Sequence, residues 1–243
     1  MLYRGKPDQV SYGEAIGIIL LENYVPFIPG DVANATSYNF PVRFQRVPGF
    51  TVERIFAHDM SLVDALVRAA LDLEGNGVRA ITGDCGFMAL YQNAIKAAVS
   101  VPVCMSSLSQ IAFMRTMLGK GEKIGIITAN SESLDDQVLG AAGIVPGPDL
   151  VIAGLEKADH FVSAVFREEG ELDSERIKAE VVAVAKAMTR SHTDIGLILL
   201  ECSLLPPYAA AVRESTGLPV FDYLTMIRQL YDAVVPRSYS GYL

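Results

Sequence analysis

The run "AIGIILL", residues 15–21, returns as "KIGIIT" at 123–128, and its core IGII matches letter for letter at 16–19 and 124–127. Each copy is a short apolar run bounded by polar residues, the pattern of a strand covered on both faces in a parallel sheet. Similar runs follow each copy. After the first come "FTVERIF" (50–56), "VRAIT" (78–82) and "VPVCM" (101–105); after the second come "LVIAG" (150–154), "IGLILL" (195–200) and "LPVFD" (218–222). Helical patterns separate them. Leu62, Leu66, Ala69, Ala70 and Leu73 recur at three- and four-residue steps. Ile177, Val181, Val184, Ala185 and Met188 do the same, behind Asp173 or Ser174 as N-cap. Strands alternating with helices predict an α/β protein with parallel sheets.

The halves also keep step. Cys85 and Cys202 stand 117 positions apart (202 − 85), as do Pro102 and Pro219 (219 − 102), while the IGII runs stand 108 apart (124 − 16). Three matches in order indicate an internal duplication. The expected architecture is two pseudo-symmetric α/β domains with the active site between them. The first half is 1–105, completed by the C-terminal segment 221–243, and the second is 106–220. The nine-residue difference is assigned to the first half, within the Pro- and Gly-punctuated stretch 22–50. A connection that long suits a lid or an oligomer contact, and a homo-oligomer is expected.

With 51% apolar and 20% charged residues, the chain reads as globular rather than disordered. A net charge of −8 without a Lys/Arg cluster argues against nucleic acid. No apolar run approaches the roughly 20 residues of a membrane span, so no membrane partner is expected. The start shows no signal-peptide pattern, and the three cysteines are odd in number and unpaired, so a cytoplasmic location is expected. His58, His160 and His192 form no i, i+4 pair and there is no CxxC, so no metal is expected. Nor is there a GxGxxG or Walker pattern, so no cofactor is expected.

The duplication sets Cys85, in "GDCGF", and Cys202, in "LECSLL", at the ends of equivalent strands, where ligands of parallel sheets bind. Two lobes facing each other would bring both thiols to one cleft. A following helix N-terminus would favour thiolate. The acids before them, Asp84 and Glu201, are read as interface or capping residues. Gly86 permits a close approach of substrate to backbone, and Ser203 adds a hydroxyl donor. Two thiols on opposite faces of a carbon acid, beside an anion hole, are the parts of a racemase: one takes a proton, the other delivers one. A pair of buried structural cysteines is the plain alternative.

"GDCGFMALYQ", "GIITAN" and "LLECSLLPPYA" resemble the aspartate/glutamate/hydantoin racemase superfamily, which also contains arylmalonate decarboxylase and maleate isomerase. The likeness runs from Ala15 to about Tyr231. It implies Cys85 and Cys202 as the acid/base pair. Gly86, Phe87, Asn130 and Ser203 would contact the substrate carboxylate, with Glu22 and Asn23 near the substrate. Gly-Phe after the first cysteine and Ser after the second depart from many amino-acid racemases, and Phe87 suggests a less polar pocket.

The expected function is therefore a cofactor-independent isomerase, a racemase or epimerase of a small anionic substrate such as an amino acid or hydantoin. The alternatives are decarboxylation or cis–trans isomerisation of a small dicarboxylate on the same scaffold, or a two-lobed binding protein without turnover.

Overall fold

The computed structural model describes residues 1–7 and 9–243. Among the described residues eight strands form two four-stranded sheets, every pairing parallel. The first holds β1 (Ile16–Leu20), β2 (Val42–Arg46), β3 (Ala80–Gly83) and β4 (Val103–Cys104) in the order β2-β1-β3-β4. The second holds β5 (Lys123–Thr128), β6 (Leu150–Gly154), β7 (Ile195–Leu200) and β8 (Val220–Phe221) in the order β6-β5-β7-β8. The same order twice is the duplication made visible. The helices are α1 (Val52–Phe56), α2 (Val63–Gly75), α3 (Gln92–Ala98), α4 (Ile111–Arg115), α5 (Asp136–Ala141), α6 (Asp159–Phe161), α7 (Ser174–Ser191), α8 (Ala209–Thr216) and α9 (Tyr223–Val234).

The glycine of each IGII run lets a long helix settle on its strand. A Cβ at Gly17 would meet Leu73 of α2 at 3.0 Å, and one at Gly125 would meet Met188 of α7 at 2.5 Å. The helix following the fourth strand of each sheet then crosses over. Ile111 and Met114 of α4 share a buried cluster with Ile124 and Ile126 of β5. Tyr223, Leu224, Met226 and Ile227 of α9 close over Ile16, Ile18 and Ala80 of the first sheet. Asp222 starts α9 with a reciprocal capping box to Thr225. Each fully buried aliphatic side chain here contributes about 1.5–3 kcal/mol, so the exchanged helices fasten the lobes together.

Two expectations from the sequence are corrected. Residues 50–56 do not form a strand: Thr51 caps α1, its Oγ1 accepting from the Arg54 N–H at 3.5 Å and its carbonyl from the Ile55 N–H at 3.1 Å. The second strand is β2, inside the stretch read as loop, in register with β1 from Ile16↔Val42 to Leu20↔Arg46. The nine additional residues are also elsewhere. The offset is still 108 between Val42 of β2 and Leu150 of β6, and becomes 117 by Ala80 of β3 and Leu197 of β7. The second lobe is the longer one, between β6 and β7. That insertion region holds α6 and a π-helical turn, Val162–Phe166, and Val165 and Phe166 of the turn help to line the site. Among the described residues no helix is long and apolar enough to cross a membrane.

Candidate active site

β3 ends at Gly83 and β7 at Leu200, and each strand is followed at once by an acid and a cysteine. The equivalence extends to the backbone. Asp84 N–H donates to Ile19 O at 3.1 Å, and Glu201 N–H to Ile127 O at 2.8 Å. Cys85 and Cys202 both line one cavity of about 40 Å³ between the lobes. Gly86, Phe87, Ser203 and Asn23 line it too, so these expected site residues come together with the thiols.

Hydrogen bonds between buried groups hold the two cysteine loops in place. The Ser203 hydroxyl donates to the Asp84 carbonyl, and the Ser107 hydroxyl to the Glu201 carbonyl at 2.9 Å. Val32 N–H donates to the Ser203 carbonyl at 3.4 Å. All of these polar groups are buried or nearly so, and buried hydrogen bonds of this kind are costly to leave half-made.

Glu22 and Asn130 stand apart from the thiols. Both line an outer cavity of about 520 Å³, which shares Val52, Phe56 and Phe166 with the inner one. Glu22 accepts from Gly49 N–H at 2.6 Å and from the Tyr24 hydroxyl at 3.1 Å, and these bonds hold its carboxyl below the usual carboxylate range. Asn130 Oδ1 accepts from the N–H groups of Glu132 and Ser133 at 3.0 and 3.2 Å, closing a turn. Tyr24 N–H donates to Glu168 at 3.3 Å, linking the first-strand loop to the longer second lobe at the mouth.

The thiols are not thiolates in the resting protein. Burial pushes both far up, and the Glu201 carboxyl adds to the rise. The N–H groups of Phe87 and Leu204 oppose it, each two residues beyond its cysteine. The helix-terminus effect expected from the sequence is too weak here, since Cys85 precedes only a 3-10 turn, Gly86–Tyr91. Burial also pushes both acids up to about 7, so each is partly protonated at neutral pH. Asp31, in the stretch read as a lid, is buried as well and raised well above the carboxylate range.

The equivalent acids differ in their partners. Both Asp84 oxygens face the Leu21 N–H, at 3.0 and 3.2 Å. Glu201 Oε2 accepts from the Thr128 hydroxyl at 2.8 Å, while Oε1 is buried without a partner. A Cβ at Gly86 would fall 1.5 Å from that Oε1, so only glycine fits beneath it. The sequence placed Glu201 beside a thiol but gave no sign that its carboxyl crosses to the other lobe. The aromatic wall was also missed. Phe56 packs edge-on against Phe87 (4.9 Å between centroids) and Phe166 (5.8 Å).

No Lys, Arg or His is among the described residues lining the inner cavity. Nor is any group of three or more His, Cys, Asp or Glu side chains among the described residues arranged to hold a metal ion.

No protein-family model matches the chain. Curated relatives do. A dimethylsulfoniopropionate lyase of Durusdinium sp. clade D is 35% identical over 228 residues, which cover 90% of this chain and 74% of that protein. The chain belongs to the dimethylsulfoniopropionate lyase family. Lyase 7 of Emiliania huxleyi is 31% identical over 237 residues, covering 93% of this chain and 69% of the relative. Lyase 3 of that alga is 33% identical, and the chain spans 61% of its length.

The fold of this lyase-family chain is that of the aspartate/glutamate racemase superfamily. Unliganded arylmalonate decarboxylase superposes with a TM-score of 0.60 at 16% identity, covering 94% of this chain and 96% of that one. Glutamate racemase from Bacillus anthracis gives 0.56 at 14%, covering 92% and 85%. At such identities the likeness is of fold alone. The racemase and isomerase reading is therefore corrected: relatives at 31–35% identity carry the name of a lyase. Of the readings weighed from the sequence, the decarboxylase alternative was also a lyase. The paired thiols misled because two cysteines at equivalent strand ends do not by themselves specify which reaction follows proton removal.

Proposed function

We propose that the protein cleaves 3-dimethylsulfoniopropionate into dimethyl sulfide and acrylate by β-elimination, with the inner cavity as its active site. One observation carries this reading beyond the family name: the thiol cavity is walled by phenylalanines and carboxyl groups, with no basic side chain among the described residues that line it. A dicarboxylate would meet uncompensated repulsion there. A sulfonium cation suits it, because onium groups bind aromatic faces and are drawn to nearby negative charge.

In this reading Phe56, Phe87 and Phe166 hold the dimethylsulfonium group. Asn23 lines the cavity, and its Oδ1 is taken by the Val25 N–H at 3.1 Å, which leaves its amide N–H bonds for the substrate carboxylate. The hydrogen on the carbon beside that carboxylate points to the thiols. A thiol raised by burial is a strong base once ionised, and the arriving sulfonium supplies the positive charge that favours its ionisation. Cys85 thiolate takes the α-proton, the carbon–carbon double bond forms, and the electrons of the breaking Cβ–S bond leave with neutral dimethyl sulfide. Cys202, which lines the same cavity, positions the reacting carbons. Elimination needs a base on one face only, which fits a site whose two acids are unequal.

The test is headspace detection of dimethyl sulfide together with NMR detection of acrylate from the purified protein. Equimolar products support the reading. No sulfide from this substrate, with racemisation of an amino acid or hydantoin instead, overturns it.

A further inference from the structure

Glu201 is one of the buried acids that the elimination as described leaves unused, and it is placed to take part. It leaves the end of β7 and reaches across the lobe boundary to Gly86, the residue after Cys85. One oxygen is held by Thr128 and the other has no partner although it is fully buried at the cavity. An unpaired carboxyl oxygen inside a protein is costly, so this one, at the cavity wall, calls for a role. The same end of β3 carries the acid equivalent to Glu201, Asp84, with both oxygens on Leu21 N–H. Only one of the two acids is therefore free.

We infer that Glu201 is the proton acceptor that arms Cys85 and carries the proton of each turnover out of the site. This rests on the lyase reading above. Cys85 S–H gives its proton to the Glu201 carboxylate, leaving thiolate and carboxylic acid. The thiolate takes the α-proton and becomes thiol again, as the sulfonium leaves as neutral sulfide. Glu201 then releases its proton to water. The zwitterionic substrate becomes one anion, one neutral sulfide and one proton, so charge and atoms are conserved. A two-base racemase would have no net proton to export.

The titratable groups around Glu201 are Asp84 and Cys85 at the end of β3, Cys202 beside it, and Tyr223 of α9; Asp31 reaches Cys202 and Asp84. None of these is a cation, so among the described residues named here no positive side chain holds Glu201 ionised.

The experiment is the pH profile of sulfide release from 3-dimethylsulfoniopropionate by wild type, Glu201→Gln and Gly86→Ala. Glu201→Gln is expected to lower kcat about 10²–10³-fold with KM within about threefold, and to flatten the acid limb of the wild-type profile. Gly86→Ala keeps every ionisable group but displaces the carboxyl, and is expected to do the same. An unchanged profile in either folded variant overturns the inference while the lyase reading stands. Should Glu201→Gln not fold, a wild-type profile flat from about pH 5.5 to 8.5 overturns it alone. Absence of sulfide from the wild type at every pH instead sinks the lyase reading on which it depends.

Discussion

The Ser203 hydroxyl of the second lobe donates to the Asp84 carbonyl of the first, so each cysteine loop is anchored by the other. The thiols are set by this bond as much as by the strands beneath them. The residue after one cysteine holds the residue before its counterpart, and a shift of either lobe would be felt at both.

Ser203→Ala removes the donor and leaves the buried Asp84 carbonyl unpaired. The expected cost is about 1–3 kcal/mol of stability, read from denaturant midpoints at constant slope. Activity should fall further than stability predicts, because the cysteine loops lose their mutual register.

Thr128→Val tests the setting of Glu201. The Thr128 hydroxyl donates to Oε2 and favours the ionised carboxyl, against the burial that raises it. Without that bond the carboxyl holds its proton to higher pH. The acid limb of sulfide release should therefore move upward in pH, and a limb that stays or moves downward would contradict the assignment.

Stability should also depend on pH through Glu201. Its pKa rises from 4.5 to about 7 on folding, so the folded state binds a proton more tightly than the unfolded chain. Stability from this group is intact below about pH 4.5 and declines as pH rises to about 7, by up to about 3 kcal/mol. Glu201→Gln removes the decline, so its melting temperature should gain on that of wild type between pH 5 and 8. Thermal scans in parallel buffers read this directly.

Phe166→Leu keeps an apolar side chain but removes one aromatic face from the wall. The expected result is a KM for the sulfonium substrate raised about 2- to 30-fold, the range of one cation–π contact, with kcat little changed. An unaltered KM would place the sulfonium elsewhere.

Much of the fold was legible because buried parallel strands advertise themselves as apolar runs, and the IGII pair with the two cysteines fixed the duplication. β2 was not, since "VRFQR" carries two arginines and lies between prolines, whereas Thr51 hid a helix start inside a strand-like run. The paired thiols and their neighbours Gly86, Phe87 and Ser203 could be placed together because they ride on equivalent strand ends. Glu22 and Asn130 belong to the outer cavity, a distinction set by side-chain direction in loops rather than by spacing. The reaction was not legible. The proposed reaction rests on which acid keeps a free oxygen and on phenylalanines from α1, the turn after Cys85 and the insertion in the second lobe. No single stretch of sequence brings these together.

The most direct test of the central claim is the rate of dimethyl sulfide release by Cys85→Ser, measured with unlabelled and α-dideuterated 3-dimethylsulfoniopropionate beside wild type. Proton removal by the Cys85 thiolate predicts a primary isotope effect in the wild type and a loss of at least about 10³-fold in the folded variant. Sulfide release by Cys85→Ser at a rate near that of wild type would contradict it.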